Sequence, residues 1–294
     1  MPTNISITMT DPLHLASFLQ NSAVQTALWM GALAAVLNGS MGIFTVLRQH
    51  SFAGHALGDS SSAGGAIGIF LGISALWGFL AMAWIAALAM GALGLRQARE
   101  RDLATGIVLG CALGISALFL YLDVTSTQAS SATVDVMFGS IFTLAPQLLW
   151  PTVILVVIAI TLISIFYRPF LLISADPDLG RAAGLPVRRL ELLYLLLLGS
   201  AAALSALSIG VILATALLLG PAASALRLAR KPWQSFLYAQ GIALIAVFGG
   251  IYLAFISYYW SDGASWPVSF FVVTLILLFY LASAAIGPMR KAKF

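Results

Sequence analysis

The amino-acid sequence predicts an all-α, polytopic integral membrane protein of about nine transmembrane helices, and eight to ten fit the same pattern. Hydrophobic residues make up 61% of the 294 positions and charged residues only 8%, whereas a soluble domain carries roughly 25% charged residues. The mean hydropathy is +1.02. The 14 lysines and arginines fall in short clusters, and the apolar runs between them have about the 20-residue length that a helix needs to cross the hydrocarbon core. No stretch has the composition of a separate water-soluble domain, so residues 1–294 are expected to form a single transmembrane domain.

The first 20 residues contain no Lys or Arg and lack the basic, apolar, small-residue order of a cleavable signal, so the first apolar run is kept as a helix. The expected spans are 24–47, 56–74, 75–95, 103–122, 147–167, 191–207, 209–226, 234–256 and 267–287. Nine spans with the N-terminus outside put every basic cluster on one side: Arg48; Arg96, Arg99 and Arg101; Arg168; Arg181, Arg188 and Arg189; Arg227, Arg230 and Lys231; Arg290, Lys291 and Lys293. The positive-inside rule makes that side cytoplasmic. Asp11, Asp123, Asp135 and Asp262 then lie outside, and Trp150, Trp233, Trp260 and Trp266 sit near span ends as interfacial aromatics do. Two boundaries are narrow. Residues 191–226 must hold two short spans joined by a tight turn near "LSIG" (207–210), and only a few polar atoms separate 56–74 from 75–95.

Two segments carry information beyond topology. The external stretch 123–146 is rich in Ser and Thr and too long for a simple turn; it is either a solvated loop or partly re-entrant at "FGSIF". On the cytoplasmic side, "SADPDLGRAAGLPVRRLELL" (174–193) offers Asp176 before Pro177 as a helix start and Gly184 with Pro186 as its end. A short charged helix there is either an ordinary connection or a docking element.

The chemistry concentrates in "SFAGHALGDSSSAGGAIGIF", residues 51–70. If this run is helical, His55 and Asp59 project from one face a turn apart. An imidazole nitrogen and a carboxylate at that spacing can hold a divalent transition ion, with water or another helix completing the coordination. Two ligands bind modestly, which suits passage rather than storage. The competing account places His55 at the cytoplasmic interface and gives Asp59 a capping role. Beside the pair, Ala56, Ser60, Gly64, Gly68 and Gly72 form a stripe of small residues suited to close backbone approach, and Ser60, Ser61 and Ser62 add hydroxyls. His14 and His50 are expected to be solvated. Cys111, the one cysteine, and Met30, Met41, Met82 and Met90 are expected to pack, and Glu191 suits the start of a helix beside Arg188 and Arg189. With one cysteine, three histidines and no H-E-x-x-H, the chain does not suit a disulfide framework or a three-ligand catalytic zinc. A pI near 9.4 reflects anchoring charges and not a nucleic-acid face.

Four blocks, in order, resemble one family. "NGSMGIFTVLRQHSFAGHALGDSSSAGGAIG", "FGSIFTL", "DPDLGRAAGLPVRRLELLYLLLLG" and "SIGVILATALLLGPAASALRLA" resemble the permeases of zinc and manganese ABC uptake transporters. The resemblance departs at one point: the family pattern has Asp then His at the ligand positions, whereas here His55 precedes Asp59. The pair is kept as a set with its order reversed. The resemblance implies a homodimeric, non-enzymatic permease in a bacterial cytoplasmic (inner) membrane, served by a cytoplasmic ABC ATPase and an extracytoplasmic metal-binding protein. Its cargo would be Zn2+ or Mn2+, with Fe2+ also compatible, and it would hold no permanent cofactor. The ion would pass His55 and Asp59 with Ser60 and Ser62 along the pathway, while 174–190 docks the ATPase through Asp176, Asp178, Gly184 and Leu185. Neutral imidazole and ionised carboxylate as ligands would make transport weaken on acidification. The neighbouring alternative is an importer of an iron chelate or cobalamin, which needs no ion-ligating pair.

Overall fold

The computed structural model describes residues 15–93, 98–127, 136–139, 141–260 and 266–291, and helices account for nearly all of them, with no strand among the described residues. A short helix α1 (Leu15–Gln20) leads into α2 (Ser22–Leu47), whose first turn is capped by the Asn21 side chain accepting from the Ala23 N–H at 2.9 Å. Then come α3 (Ser51–Phe70), α4 (Ala75–Leu93) and α5 (Ala98–Thr127). A 3-10 turn at Pro146–Leu148 opens α6 (Leu149–Ile165), and two short helices, α7 (Tyr167–Ala175) and α8 (Pro177–Ala182), follow. The chain closes with α9 (Val187–Ile209), α10 (Val211–Leu228), α11 (Pro232–Trp260) and α12 (Val268–Lys291).

Among the described residues, eight helices are long and apolar enough to cross a membrane: α2, α4, α5, α6, α9, α10, α11 and α12. The ninth expected span is α3, and its composition sets it apart. At about 1.5 Å per residue, its 20 residues reach roughly the 30 Å of a hydrocarbon core, yet glycines, serines, His55 and Asp59 leave it too polar to meet the same criterion. Its surroundings explain this. Helix α3 packs against α4, α5, α9 and α10, and 12 of its residues are buried, so little of its backbone or polar surface meets lipid.

Close approach of backbones holds α3 in place, as the small-residue stripe predicts. A methyl group built on Gly64 would overlap the Gly78 carbonyl of α4, and one on Gly78 would overlap the Gly64 carbonyl. Gly42 of α2 meets the Leu218 carbonyl of α10 in the same way. Gly72 does not belong to this stripe: with φ +69° it makes the turn between α3 and α4. The turn expected near Gly210 is confirmed as a single residue between α9 and α10, with φ +91° and ψ 156°, a region open essentially to glycine. Gly139, with φ +83°, lies directly against it, where a Cβ would come within 2.5 Å of the Gly210 nitrogen. Val136, Ile141 and Leu144 are buried on either side of Gly139. The segment between α5 and α6 therefore folds inward at this point; residues 128–135 and Ser140 lie outside the described residues.

The basic ends of the helices gather on one side. Phe44, at the end of α2, touches Tyr167, Phe170 and Phe236, which brings the ends of α2 and α6 to the start of α11. Arg48 donates to Ser174 Oγ at 2.9 Å, and its guanidinium lies 4.2 Å from the centre of the Tyr194 ring, a cation–π contact of about 0.5–2 kcal/mol. Tyr194 is fully buried and donates to Thr45 Oγ1 at 3.2 Å. On the same side, Arg227 donates to Tyr280 Oη at 2.7 Å. Arg96, His14, Asp11, Asp135, Asp262 and Lys293 lie outside the described residues.

Three expectations need correction. His50 is not solvated: it is half-buried, with its ring 5.7 Å from that of Tyr194, because the turn after α2 folds back onto α9. Cys111 does not pack inside the chain but is exposed on α5, on the face that α3 and α4 leave uncovered. Helix α5 also runs several residues past its expected end, to Thr127. Met30, Met41 and Met90 pack in the interior as expected.

If Gly64 and Gly78 set the α3–α4 distance, Gly64→Ala and Gly78→Ala should each lower the unfolding midpoint of the detergent-solubilised protein by several degrees, following an overpacking cost of about 1–3 kcal/mol. Gly241→Ala, where nothing lies within 4 Å, should leave the midpoint unchanged; differential scanning fluorimetry checks all three.

Candidate functional site

His55 lies in the second turn of α3 and Asp59 near its midpoint, so neither caps the helix. Their side chains meet as the i, i+4 spacing requires, with His55 Nε2 3.5 Å from Asp59 Oδ2. That separation is beyond the usual hydrogen-bond range. It is also the gap that one ion would fill: with bonds of about 2.1 Å to each atom, it would subtend about 110°, close to tetrahedral. The His55 side chain is 43% exposed and that of Asp59 15%, so the carboxylate is sheltered and the imidazole faces open space.

That space is a recess of about 410 Å³. Its floor is α3, through His55, Asp59 and Ser62. Leu113, Ser116, Ala117 and Leu120 of α5 form one wall, Val211 and Ile212 of α10 another, and Val136 with Met137 of the inward-folded segment lies across it. The clamp between Gly139 and Gly210 is therefore one or two residues from this lining on each side.

The two serines assigned to the pathway separate. Ser62 lines the recess, donates to the Asp59 carbonyl at 2.6 Å and lies 3.1 Å from Ser116 Oγ, whose hydroxyl can donate to it, tying α3 to α5. Ser60 is buried and is not part of the lining; it belongs to the stripe that includes Gly64, which faces α4. Sequence reasoning missed Thr215 of α10, whose Oγ1 lies 2.8 Å from His55 Nδ1. A lone hydroxyl in the apolar run "VILATALLLG" was the available signal, but its partner is 160 residues away. Among the described residues no three His, Cys, Asp or Glu side chains converge as a metal-binding group; His55 and Asp59 stand as a pair.

Residues 174–193 contain the short helix that their sequence announces. Asp176 caps α8 by accepting from the Asp178 N–H at 2.8 Å, with Pro177 in the first turn. Asp178 pairs with Arg181 on the exposed surface. Gly184, with φ +73°, turns the chain out of the helix, and the half-buried Leu185 donates its N–H to the Gly180 carbonyl at 3.1 Å. Asp178, Leu179 and Gly184 are thus displayed, while the Asp176 carboxylate is occupied by its own chain.

Comparison with known proteins follows this geometry. The chain is 28% identical to the manganese transport system membrane protein MntC of Listeria monocytogenes over 272 residues, 92% of this chain and 93% of that one. It is 26% identical to the high-affinity zinc uptake system membrane protein ZnuB of Haemophilus influenzae over 231 residues, 78% and 86% of the two chains. Among solved structures, PsaBC from Streptococcus pneumoniae in complex with Fab superposes with a TM-score of 0.76 at 23% identity, covering 92% of this chain and 95% of that one. A structure described as an inward-facing conformation of a metal-chelate type ABC transporter gives 0.65 at 20% identity, covering 99% of this chain and 92% of that one. The profile of the ABC 3 transport family matches residues 20–285, and the chain belongs to that family.

Proposed function

We propose that this chain is the membrane-spanning permease of an ATP-driven importer of divalent transition-metal ions, manganese or zinc, working by alternating access. The observation that carries this reading is the His55–Asp59 pair: an imidazole and a carboxylate, 3.5 Å apart on a mostly buried helix, opening on one recess. Ionisable groups at such depth cost several kcal/mol unless they serve a polar path or partner. The MntC and ZnuB relatives support the choice of cargo, and a ligand pair in a small apolar-walled recess favours a bare ion over a chelate. Reversing the order of His and Asp keeps one nitrogen and one oxygen ligand on the same face, so donor chemistry is retained while the two positions trade places along the helix.

Because one copy offers two ligands, a second copy facing the recess would complete the coordination, as expected of a homodimer. The chain contains no G-x-x-x-x-G-K-[ST] phosphate loop, so ATP hydrolysis belongs to a separate cytoplasmic subunit. The exposed corner formed by α8, Gly184 and Leu185 is the surface for that subunit, with the N-terminus outside and the basic helix ends cytoplasmic. An extracytoplasmic metal-binding protein delivers the ion to the opposite mouth.

In a strain that depends on this permease, Asp59→Ala and His55→Ala should each reduce uptake of radiolabelled Mn2+ or Zn2+ at least tenfold at unchanged membrane abundance. Harmless substitution at both positions would instead identify a chelate carrier. Gly184→Val, which forces a β-branched residue to a positive φ, should reduce co-purification of the ATPase and slow uptake while leaving ion binding by the detergent-solubilised permease intact, as measured by isothermal titration with Mn2+.

A further inference from the structure

We propose that Thr215 is a positioning residue for the ion site: it fixes the tautomer and orientation of His55, so that α10, and not α3 alone, sets the geometry of the ligand pair. This rests on the reading of His55 and Asp59 as ion ligands. Only one of the two imidazole nitrogens faces Asp59. Nε2 lies 3.5 Å from Oδ2, while Nδ1 lies 2.8 Å from Thr215 Oγ1, within hydrogen-bond distance.

Two proton arrangements fit a neutral ring. If Thr215 donated to Nδ1, the proton would sit on Nε2 and point at Asp59 across a gap too long for a good hydrogen bond, and the ring would have no lone pair for an ion. If Nδ1–H donates to Thr215, the Nε2 lone pair faces the gap beside the carboxylate. An ion in that gap requires the second arrangement, and the threonine oxygen supplies the acceptor that holds it. Ligating histidines in general depend on such a partner on the far nitrogen, and its loss typically costs 10–100-fold in affinity.

The contact is possible because α10 passes close to α3. Gly58 faces Ala214, and a methyl group built there would be in ordinary contact at 3.9 Å. Thr215 lies five residues beyond Gly210, the one-residue joint at the start of α10. A tilt of α10 at that joint would carry Thr215 with it and turn the imidazole, so ion affinity depends on the placement of α10.

The test is a kinetic split in uptake with Mn2+ as the probe. Thr215→Val keeps the side-chain shape and removes the acceptor; it should raise the apparent KM about 10–100-fold while Vmax and membrane abundance stay near wild type. Thr215→Ser restores the hydroxyl and should return KM to near the wild-type value. If the valine variant fails to reach the membrane, Thr215→Ala carries the same expectation. An unchanged KM in the valine or alanine variant overturns the role, as does a serine variant that behaves like valine. His55→Ala in the same assay separates the two levels: full uptake there removes the site reading and this role together, whereas lost uptake with an unchanged Thr215→Val removes this role alone.

Discussion

A carboxylate and an imidazole within a bilayer-sized bundle must be kept from hydrocarbon, and this constraint organises the molecule. Lipid offers no hydrogen bonds, so a helix with many exposed polar atoms is unstable against it. Helix α3 carries His55, Asp59 and three consecutive serines, and it is enclosed by α4, α5, α9 and α10. The apolar side chains of the chain are spent mainly on the helices that surround it. Their outward faces are what the hydropathy of the sequence registers.

The hydrophobic effect does little to bind one helix to another inside a membrane, so contact depends on van der Waals fit. Glycines provide that fit where α3 crosses α4 and where α2 crosses α10. Interior hydrogen bonds add direction: Asn38 donates to the Ala201 carbonyl at 3.1 Å, joining α2 to α9, and Trp84 donates to Ser200 at 2.9 Å, joining α4 to α9. These contacts leave the recess over the ligand pair bounded by elements whose positions are each tied to a neighbour.

Much of this was legible from the residues alone. The spans followed from apolar run length and charge spacing, the turn between α9 and α10 from the "LSIG" stretch to within two residues, the cap of α8 from Asp176 and Pro177, and the facing pair from the spacing of His55 and Asp59. Local signals sufficed because each of these features is decided within one turn or one run. What escaped was decided at a distance. Thr215 meets His55 across 160 residues, Ser60 and Ser62 part company because two helices lie on different sides of α3, and His50 is covered by Tyr194, which a linear pattern cannot foresee. The inward fold at Val136, Ile141 and Leu144 was only half visible: a re-entrant stretch at "FGSIF" was one of two readings beside a solvated loop, and neither said that Gly139 would rest on Gly210.

Arg48 has a mechanical consequence. Its guanidinium grips Ser174 of α7 and the Tyr194 ring of α9 at once, and a single residue, Asp176, separates α7 from α8. The outer helix is therefore not tethered by slack chain. Any displacement of α8 would bear at once on the Arg48 contacts that link α7 to α9, with little backlash.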